Sequence, residues 1–182
     1  MKILETLLHH FPAELHSNFL VIDYSDGKGE QIIKWNEETL GQKPDKETLQ
    51  KWHLEYLKNN KWQQIKSDRE NQKKKGFLFN SLRYDGNETA QTNIANATLT
   101  AISFKLAGKP FSTAWTTFDN AVVILETEDI LQLQATMTQA GSNIQDYGTF
   151  LRNQINNAQT EEQLDLIVWA YDESKDYGAG EK

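Results

Sequence analysis

The segment from Thr127 to Ala158 constrains the fold most, because its apolar residues follow one helical pattern over its whole length. They recur at alternating steps of three and four residues, which is the heptad spacing of helices that pack side by side. Thr127 can cap the first turn, and no proline occurs in the segment. The segment therefore predicts an amphipathic helix with an apolar seam made of Ile130, Leu133, Met137, Ala140, Ile144, Tyr147 and Leu151.

The length of this segment leaves two arrangements open. At about 1.5 Å per residue, a continuous helix over 127–158 would be about 48 Å long, which exceeds the dimensions of a small domain. Part of such a helix should pack on another helix or on another chain, so the seam is a candidate oligomer or partner interface. Alternatively, Gly141-Ser142-Asn143 divides the segment into two helices that form a hairpin, since each helical glycine costs about 1 kcal/mol.

The first 58 residues predict a small α+β unit. Apolar residues from Ile3 to Phe11 share one helical face, and Pro12 ends that helix. Two β-rich runs, 19–24 and 30–35, are separated by glycines that suit a hairpin loop. Asp45 is placed to cap a second helix. Helix, hairpin and helix together form the predicted N-terminal domain, 1–58.

A second unit is predicted at 76–169, after a polar stretch at 59–75 that we interpret as an exposed helical connector. Hairpins at 77–84 and 112–125 flank a helix that starts after Asn87 and ends before Gly108. This helix has apolar residues on more than one side, so we expect it to be buried over a wide arc. They are Ala90, Ile94, Ala95, Ala97, Leu99, Ala101, Ile102, Phe104 and Leu106.

The predicted fold class is α+β, with two small hairpin-plus-helix units, the second followed by the long C-terminal helix or helical hairpin. Thr160 and Gln163 form a capping box for a last helix through Trp169. Residues 170–182 are mostly polar and predict a flexible tail.

Composition excludes several classes of function. The net charge is −7 and the longest basic run is Lys73-Lys74-Lys75, which is too short for the cationic footprint of a nucleic-acid-binding protein. The absence of cysteine excludes disulfides and thiolate metal sites. The sequence has no apolar run long enough to span a bilayer and no signal-peptide pattern, so we expect no membrane association and synthesis in the cytoplasm.

The sequence contains no recognisable catalytic constellation, and we expect no cofactor and no metal. His9 and His10 are adjacent on a helix, which is poor spacing for joint ligation, and His16 and His53 have no patterned partner. The residues on the polar side of the helix after Asn87 are amides and hydroxyls, so they cannot act as acid or base. We interpret that side as a solubilising or contact surface, and His53 remains the best candidate if the chain were an enzyme.

Two sets of residues resemble known families. Gly76-Phe77, Phe79-Asn80, Trp115-Thr116-Thr117 and Asp119-Asn120, with the helices after them, resemble a domain of unknown function that recurs in tail proteins of bacteriophages and prophages. This resemblance covers about 69–168. A starting helix that ends in Phe11-Pro12, the strand 19–24, Lys34-Trp35-Asn36 and a helix around Trp52 are similar to the tail-protein family named for XkdW of PBSX-type prophages.

The resemblances imply a structural component of a phage or prophage tail, in the baseplate or tail-fibre region, with other tail proteins as partners. The heptad spacing of the seam, and not the resemblance, predicts a homo-oligomer. The resemblances imply no enzymatic activity. The chain would occupy the host cytoplasm during assembly and the virion tail afterwards. The alternative is a tail-fibre assembly chaperone that does not remain in the virion.

Overall fold

The computed structural model describes residues 1–12, 18–175 and 177. The fold is α+β, as predicted, with 56% helix and three two-stranded antiparallel sheets among these residues. The chain divides into two compact units. The first consists of Met1–Gln64 and Asn153–Ile167, and the second of Ile65–Arg152 and the described part of Val168–Lys182. None of the helices in the described ranges combines the length and the hydrophobicity that crossing a bilayer requires.

The first unit begins with the helix and hairpin that the sequence predicted. Its elements are α1 (Ile3–His10), β1 (Phe19–Asp23), β2 (Glu30–Trp35), α2 (Glu37–Leu40) and the first part of α3 (Lys46–Lys74). Strands β1 and β2 pair antiparallel, with a register shift between Leu20 and Val21. Ile3, Leu7, Phe19 and Leu49 are buried together and join helix α1, the hairpin and α3 in one small core.

Two side-chain caps fix the helix starts in this unit. The Asp45 carboxylate accepts a hydrogen bond from the Thr48 amide at 2.8 Å, which confirms the predicted cap of α3. Asn36 caps α2 by accepting from the Glu38 amide at 3.2 Å. Helix α2 has no periodic signal in the sequence, because a helix of four residues is too short to show a 3.6-residue period.

Helix α3 is continuous over 29 residues, so the second predicted helix and the predicted connector, 59–75, are one element. The division between the two units falls inside it, after Gln64. Ile65 and Gln72 are buried. The expectation of an exposed connector is therefore wrong for these two positions, where apolar and amide side chains enter a core.

The second unit contains β3 (Phe77–Phe79), β4 (Leu82–Tyr84), α4 (Glu88–Leu106), β5 (Ser112–Thr116), β6 (Val122–Glu126) and most of α5 (Thr127–Asn157). One buried cluster joins all of these elements except β5, whose Trp115 packs against the cluster half-buried. The β3–β4 turn confirms the predicted two-residue hairpin, and Asn80 and Ser81 both have positive φ, of 48° and 65°. These angles define a type I′ turn, which matches the twist of the strands even though the second residue is serine rather than glycine.

Helix α5 is continuous over 31 residues, so the chain adopts the long helix and not the helical hairpin. Gly141 and Gly148 lie within it without a break. At Gly148 an added Cβ would lie 3.2 Å from the Arg69 side chain and 3.9 Å from Trp169. Glycine therefore allows neighbouring groups to approach the helix closely at this point, which offsets its low helix propensity.

Residues 153–167, which the sequence assigned to the second domain, belong to the first unit. Lys58 donates to the Asn156 carbonyl at 2.8 Å. Thr160 caps α6 (Glu161–Asp165) by accepting from the Gln163 amide, as predicted, but the helix ends at Asp165 rather than near Trp169. Leu164 is buried, which shows that this segment adds to a core.

Candidate functional site

The predicted oligomer seam of α5 is largely the protein's own core. Ile130 and Leu133 are fully buried in the cluster of the second unit, and Met137 and Ala140 pack against that cluster half-buried. The rest of the seam, Ile144, Tyr147 and Leu151, is also buried. A buried side chain has no surface to offer to a second chain, so the seam is wrong as an oligomer interface at these five positions, whereas Met137 and Ala140 keep part of their surface exposed. The heptad spacing identified the apolar face of the helix correctly but assigned it to the wrong partner.

Tyr147 is covered by residues at or beyond the predicted end of the second unit, 76–169. Its ring centroid lies 5.1 Å from that of Trp169, 5.8 Å from Tyr171 and 4.6 Å from Tyr177. Its hydroxyl accepts a hydrogen bond from the Ala170 amide at 3.2 Å. Within the predicted flexible tail, 170–182, Ala170, Tyr171 and Tyr177 therefore pack against Tyr147, and the prediction is corrected at these residues. Residues 176 and 178–182 of that segment lie outside the described ranges.

Helix α4 is buried along a narrow face only. Ile94 and Ala101 are fully buried, and Ala97 packs against them. Leu99, Ile102 and Leu106 are exposed to 64%, 40% and 85%. The expectation of burial over a wide arc is wrong, because no described element covers the second apolar side of the helix. We call this exposed side, made of Ala95, Leu99, Ile102 and Leu106, the α4 stripe.

The β5–β6 hairpin has a second exposed apolar face. Trp115, Val123 and Leu125 point towards the core to which α4 contributes Ile94 and Ala101. The alternate residues point outwards, and Val122 and Ile124 are 68% and 64% exposed. Each strand pairs only with the other among the described residues, so each has one edge that no strand occupies.

The turn of this hairpin is built by the Trp-Thr-Thr-x-Asp-Asn residues on which the phage-tail resemblance rests. The Thr117 hydroxyl is buried, accepts from the Ala121 amide at 3.1 Å and lies 3.1 Å from an Asp119 carboxylate oxygen. Thr117 also donates its own amide to the Ala121 carbonyl at 2.8 Å, and Asn120 has a φ of 64°. These residues therefore close a tight loop, and their role in the fold is structural.

An amide-lined groove of about 500 Å³ lies among α4, α5 and the start of β3. The Gln134 side-chain nitrogen donates to Thr138 at 3.3 Å, whereas its Oε1 atom is buried without a hydrogen-bond partner. Lys73 is the one titratable side chain of the lining. The groove can recognise polar groups but contains no acid–base pair. Its lining also includes Phe77, Gln91, Ala95, Met137, Ala140, Ile144 and Gln145.

The best catalytic candidate of the sequence, His53, serves as a packing residue in the first unit. The Thr6 hydroxyl is buried and donates to the Lys2 carbonyl at 2.6 Å, so it accepts from the Nδ1–H of His53, which lies 2.9 Å away. Tyr56 lies beside the His53 ring and donates its hydroxyl to Glu5 at 3.1 Å. Burial is the main cause that lowers the pKa of His53 below 6.5. The Thr6 hydroxyl thus donates its proton to a backbone carbonyl, and the Thr6–His53 hydrogen bond joins α1 to α3.

The other histidines form no metal site among the described residues. The ring of His10 lies edge-on to Trp52 at 4.2 Å, and burial lowers its pKa despite the opposing effect of Glu55. Its Nε2 atom is 3.6 Å from that carboxylate and has no hydrogen-bond partner. His9 stacks beside His10 at 6.2 Å, and His16 lies outside the described residues. No group of three metal-ligating side chains occurs in the described part of the chain.

Comparison with known proteins identifies a family but no characterised relative. No curated protein and no solved structure matches the chain. Residues 56–168 match the family described as Domain of unknown function (DUF4376), and these residues include α4, the β5–β6 hairpin and α5. Since the match covers more than half of the sequence, the chain belongs to this family of domains of unknown function.

Proposed function

We propose that this protein is a non-enzymatic structural component of a bacteriophage or prophage tail, in the baseplate or tail-fibre region, where it binds other tail proteins. The proposal combines the two sequence resemblances with the surface of the second unit. The observation that carries it is the outer face of the β5–β6 hairpin, where Val122 and Ile124 are exposed to solvent. Exposed apolar patches on a folded chain mark interaction sites.

The hairpin suits the docking of another polypeptide for two reasons. Its outer face presents adjacent β-branched side chains, and its strand edges have unpaired backbone groups that can accept a further strand. The loop that joins the strands is fixed by the Thr117 hydrogen bonds, so the face is held in place before binding. A preorganised face loses less conformational entropy when it binds.

The polar sites of the chain support binding rather than catalysis. The amide-lined groove offers hydrogen-bond donors and acceptors of the kind that a polypeptide backbone can satisfy. The Thr6–His53 pair holds a helix in place and leaves no activated nucleophile. We therefore expect the change His53→Ala to leave infectivity intact in a variant that folds.

Mass spectrometry of purified phage particles tests the proposal. We expect the protein in fixed stoichiometry with other tail proteins, and we expect Val122→Lys with Ile124→Lys to prevent its incorporation while the chain remains folded. Leu166→Lys, at an exposed position of the first unit, is the matched control and should be incorporated normally. Absence from particles together with copurification of an unfinished fibre would identify an assembly chaperone instead. Absence from both would contradict a role in tails.

A further inference from the structure

We propose that the α4 stripe binds the α4 stripe of a second copy of this chain. The stripe consists of Ala95, Leu99, Ile102 and Leu106, which are separated by four, three and four residues. This is the spacing with which one helix packs against another helix of the same pattern. Three of the four side chains are large and are exposed to solvent in the single chain. The inference goes beyond the proposed function, since self-association does not depend on a role in phage tails.

The stripe lies on a helix that is built independently of any partner. Asn87 caps α4 by accepting from the Ala90 amide at 2.9 Å, and Ile94 and Ala101 anchor its opposite face in the core. The stripe is therefore rigid before association. It spans 11 helical steps, or about 16 Å at about 1.5 Å per residue. A seam of that length, about one and a half heptads, predicts association in the micromolar range rather than an obligate dimer.

The charges around the stripe point to an identical partner. Helix α4 has no charged residue between Glu88 and Lys105, although a quarter of the residues in the whole chain are charged. Helices that select a different partner do so with charges that flank the seam, and α4 has none along most of its length. The net charge of −7 makes two copies repel each other, and an uncharged surface adds least to this repulsion where the copies meet. An uncharged apolar stripe is complementary to itself, as a symmetric interface requires.

Residues that the structure does not describe give no matching stripe. Residues 13–17, 176 and 178–182 contain a single large aliphatic side chain, Leu15. An exposed line of four apolar side chains along a helix is covered best by a partner with a similar line. The α4 stripe of another copy provides it.

Sedimentation velocity over about 1 to 500 µM protein tests the proposal. We expect the mass of the wild-type protein to rise towards that of a dimer, and we expect Leu99→Glu to weaken association at least tenfold. The matched control is Leu78→Glu, because Leu78 is an exposed leucine outside the stripe and the same substitution changes the net charge equally. The control should associate as the wild type does. A wild-type protein that is monomeric at the highest concentration would overturn the proposal, as would equal weakening by both substitutions.

Crosslinking gives a test that does not depend on destabilising substitutions. The natural chain has no cysteine, so a single introduced cysteine reacts alone. Ser103 and Thr149 are both exposed helical residues whose hydroxyls donate to the carbonyl four residues earlier. Ser103→Cys, beside the stripe, should be crosslinked by a short bismaleimide, whereas Thr149→Cys, on α5, should not. Adding Leu99→Glu should abolish the crosslink. Equal crosslinking of both variants would refute the stripe interface and would leave the proposed tail function untouched.

Discussion

The structure assigns the apolar seam of α5 to the protein's own core, and the change Leu133→Ala tests that assignment. Leu133 is fully buried among the side chains of the second unit. Truncation to alanine removes buried methyl and methylene groups and leaves a cavity that the surrounding helices and strands fill only in part. The expected loss in the free energy of unfolding is about 2–5 kcal/mol.

Urea denaturation followed by circular dichroism measures this loss. With a urea dependence of about 1–3 kcal/mol per molar, a loss of about 3 kcal/mol lowers the midpoint by roughly 1 to 3 M. The matched control is Leu99→Ala on α4, which is the same chemical change at a position that is 64% exposed. At dilute protein the control should change the free energy of unfolding by less than about 0.5 kcal/mol.

Protein concentration distinguishes a core from an intermolecular seam. If the seam bound another chain, the destabilisation by Leu133→Ala would grow as the protein concentration rises, since association stabilises only the folded form. We expect the difference between Leu133→Ala and the wild type to be the same at every concentration in a Leu99→Glu background. A loss below about 1 kcal/mol at Leu133, or a loss equal to that of Leu99→Ala, would refute the reasoning.

Three further substitutions test a glycine turn, the half-buried His53 and the C-terminal contacts. Gly76 has a φ of 72° and faces the last carbonyl of β4, whereas Gly108 has a φ of 67° and open space around it. Gly76→Ala should therefore lower the free energy of unfolding by about 2 kcal/mol or more beyond the effect of Gly108→Ala, and thermal unfolding of both variants measures the difference. Burial lowers the pKa of His53, so the unfolded state binds more protons than the folded state below about pH 6.5. The free energy of unfolding should therefore be highest above that pH and fall below it. In urea titrations between about pH 7 and 5, His53→Asn should reduce this dependence on pH, and an unchanged dependence would exclude the histidine as its cause. Arg83 forms an ion pair with Glu173 at 2.7 Å. Arg83→Ala should change the free energy of unfolding by less than about 1 kcal/mol but should increase the rate of tryptic cleavage of 170–175. An unchanged cleavage rate would show that the ion pair does not hold this segment in place.

The sequence predicted local structure well, because periodicity and capping residues are local signals. The hairpins and the start of α4 at Asn87 follow from turn and capping residues, whereas the sequence left the continuity of α5 open. The sequence did not determine which apolar faces are covered. On α4, Ile94 and Ala101 are buried whereas Leu99 and Leu106 are exposed, although leucine is more hydrophobic than alanine. Which face is covered depends on where distant segments pack, and helical periodicity carries no information about that.

The aromatic cluster around Tyr147 is a second case in which contacts between distant segments could not be deduced from the sequence. The segment after Trp169 was interpreted as a flexible tail because most of its residues are polar or small. The signal that was missed is the recurrence of aromatic residues at Trp169, Tyr171 and Tyr177, each of which contacts Tyr147. Large rings contribute enough buried surface to hold a segment that has no regular structure. The spacing of aromatic residues is therefore a better guide than average polarity in such segments.

The residues that carry the family resemblance and those proposed to bind partners are different sets. Thr117 and Asn120 close a turn, and Phe77 and Phe79 fill the core, so each of them specifies the fold. The exposed residues of the hairpin face and of the α4 stripe make none of these contacts and can change without disturbing the fold. A chain can thus retain the fold of this family while its binding surfaces adapt to different proteins. It follows that membership of the family predicts architecture, and that the partners of each member must be determined from its own exposed side chains.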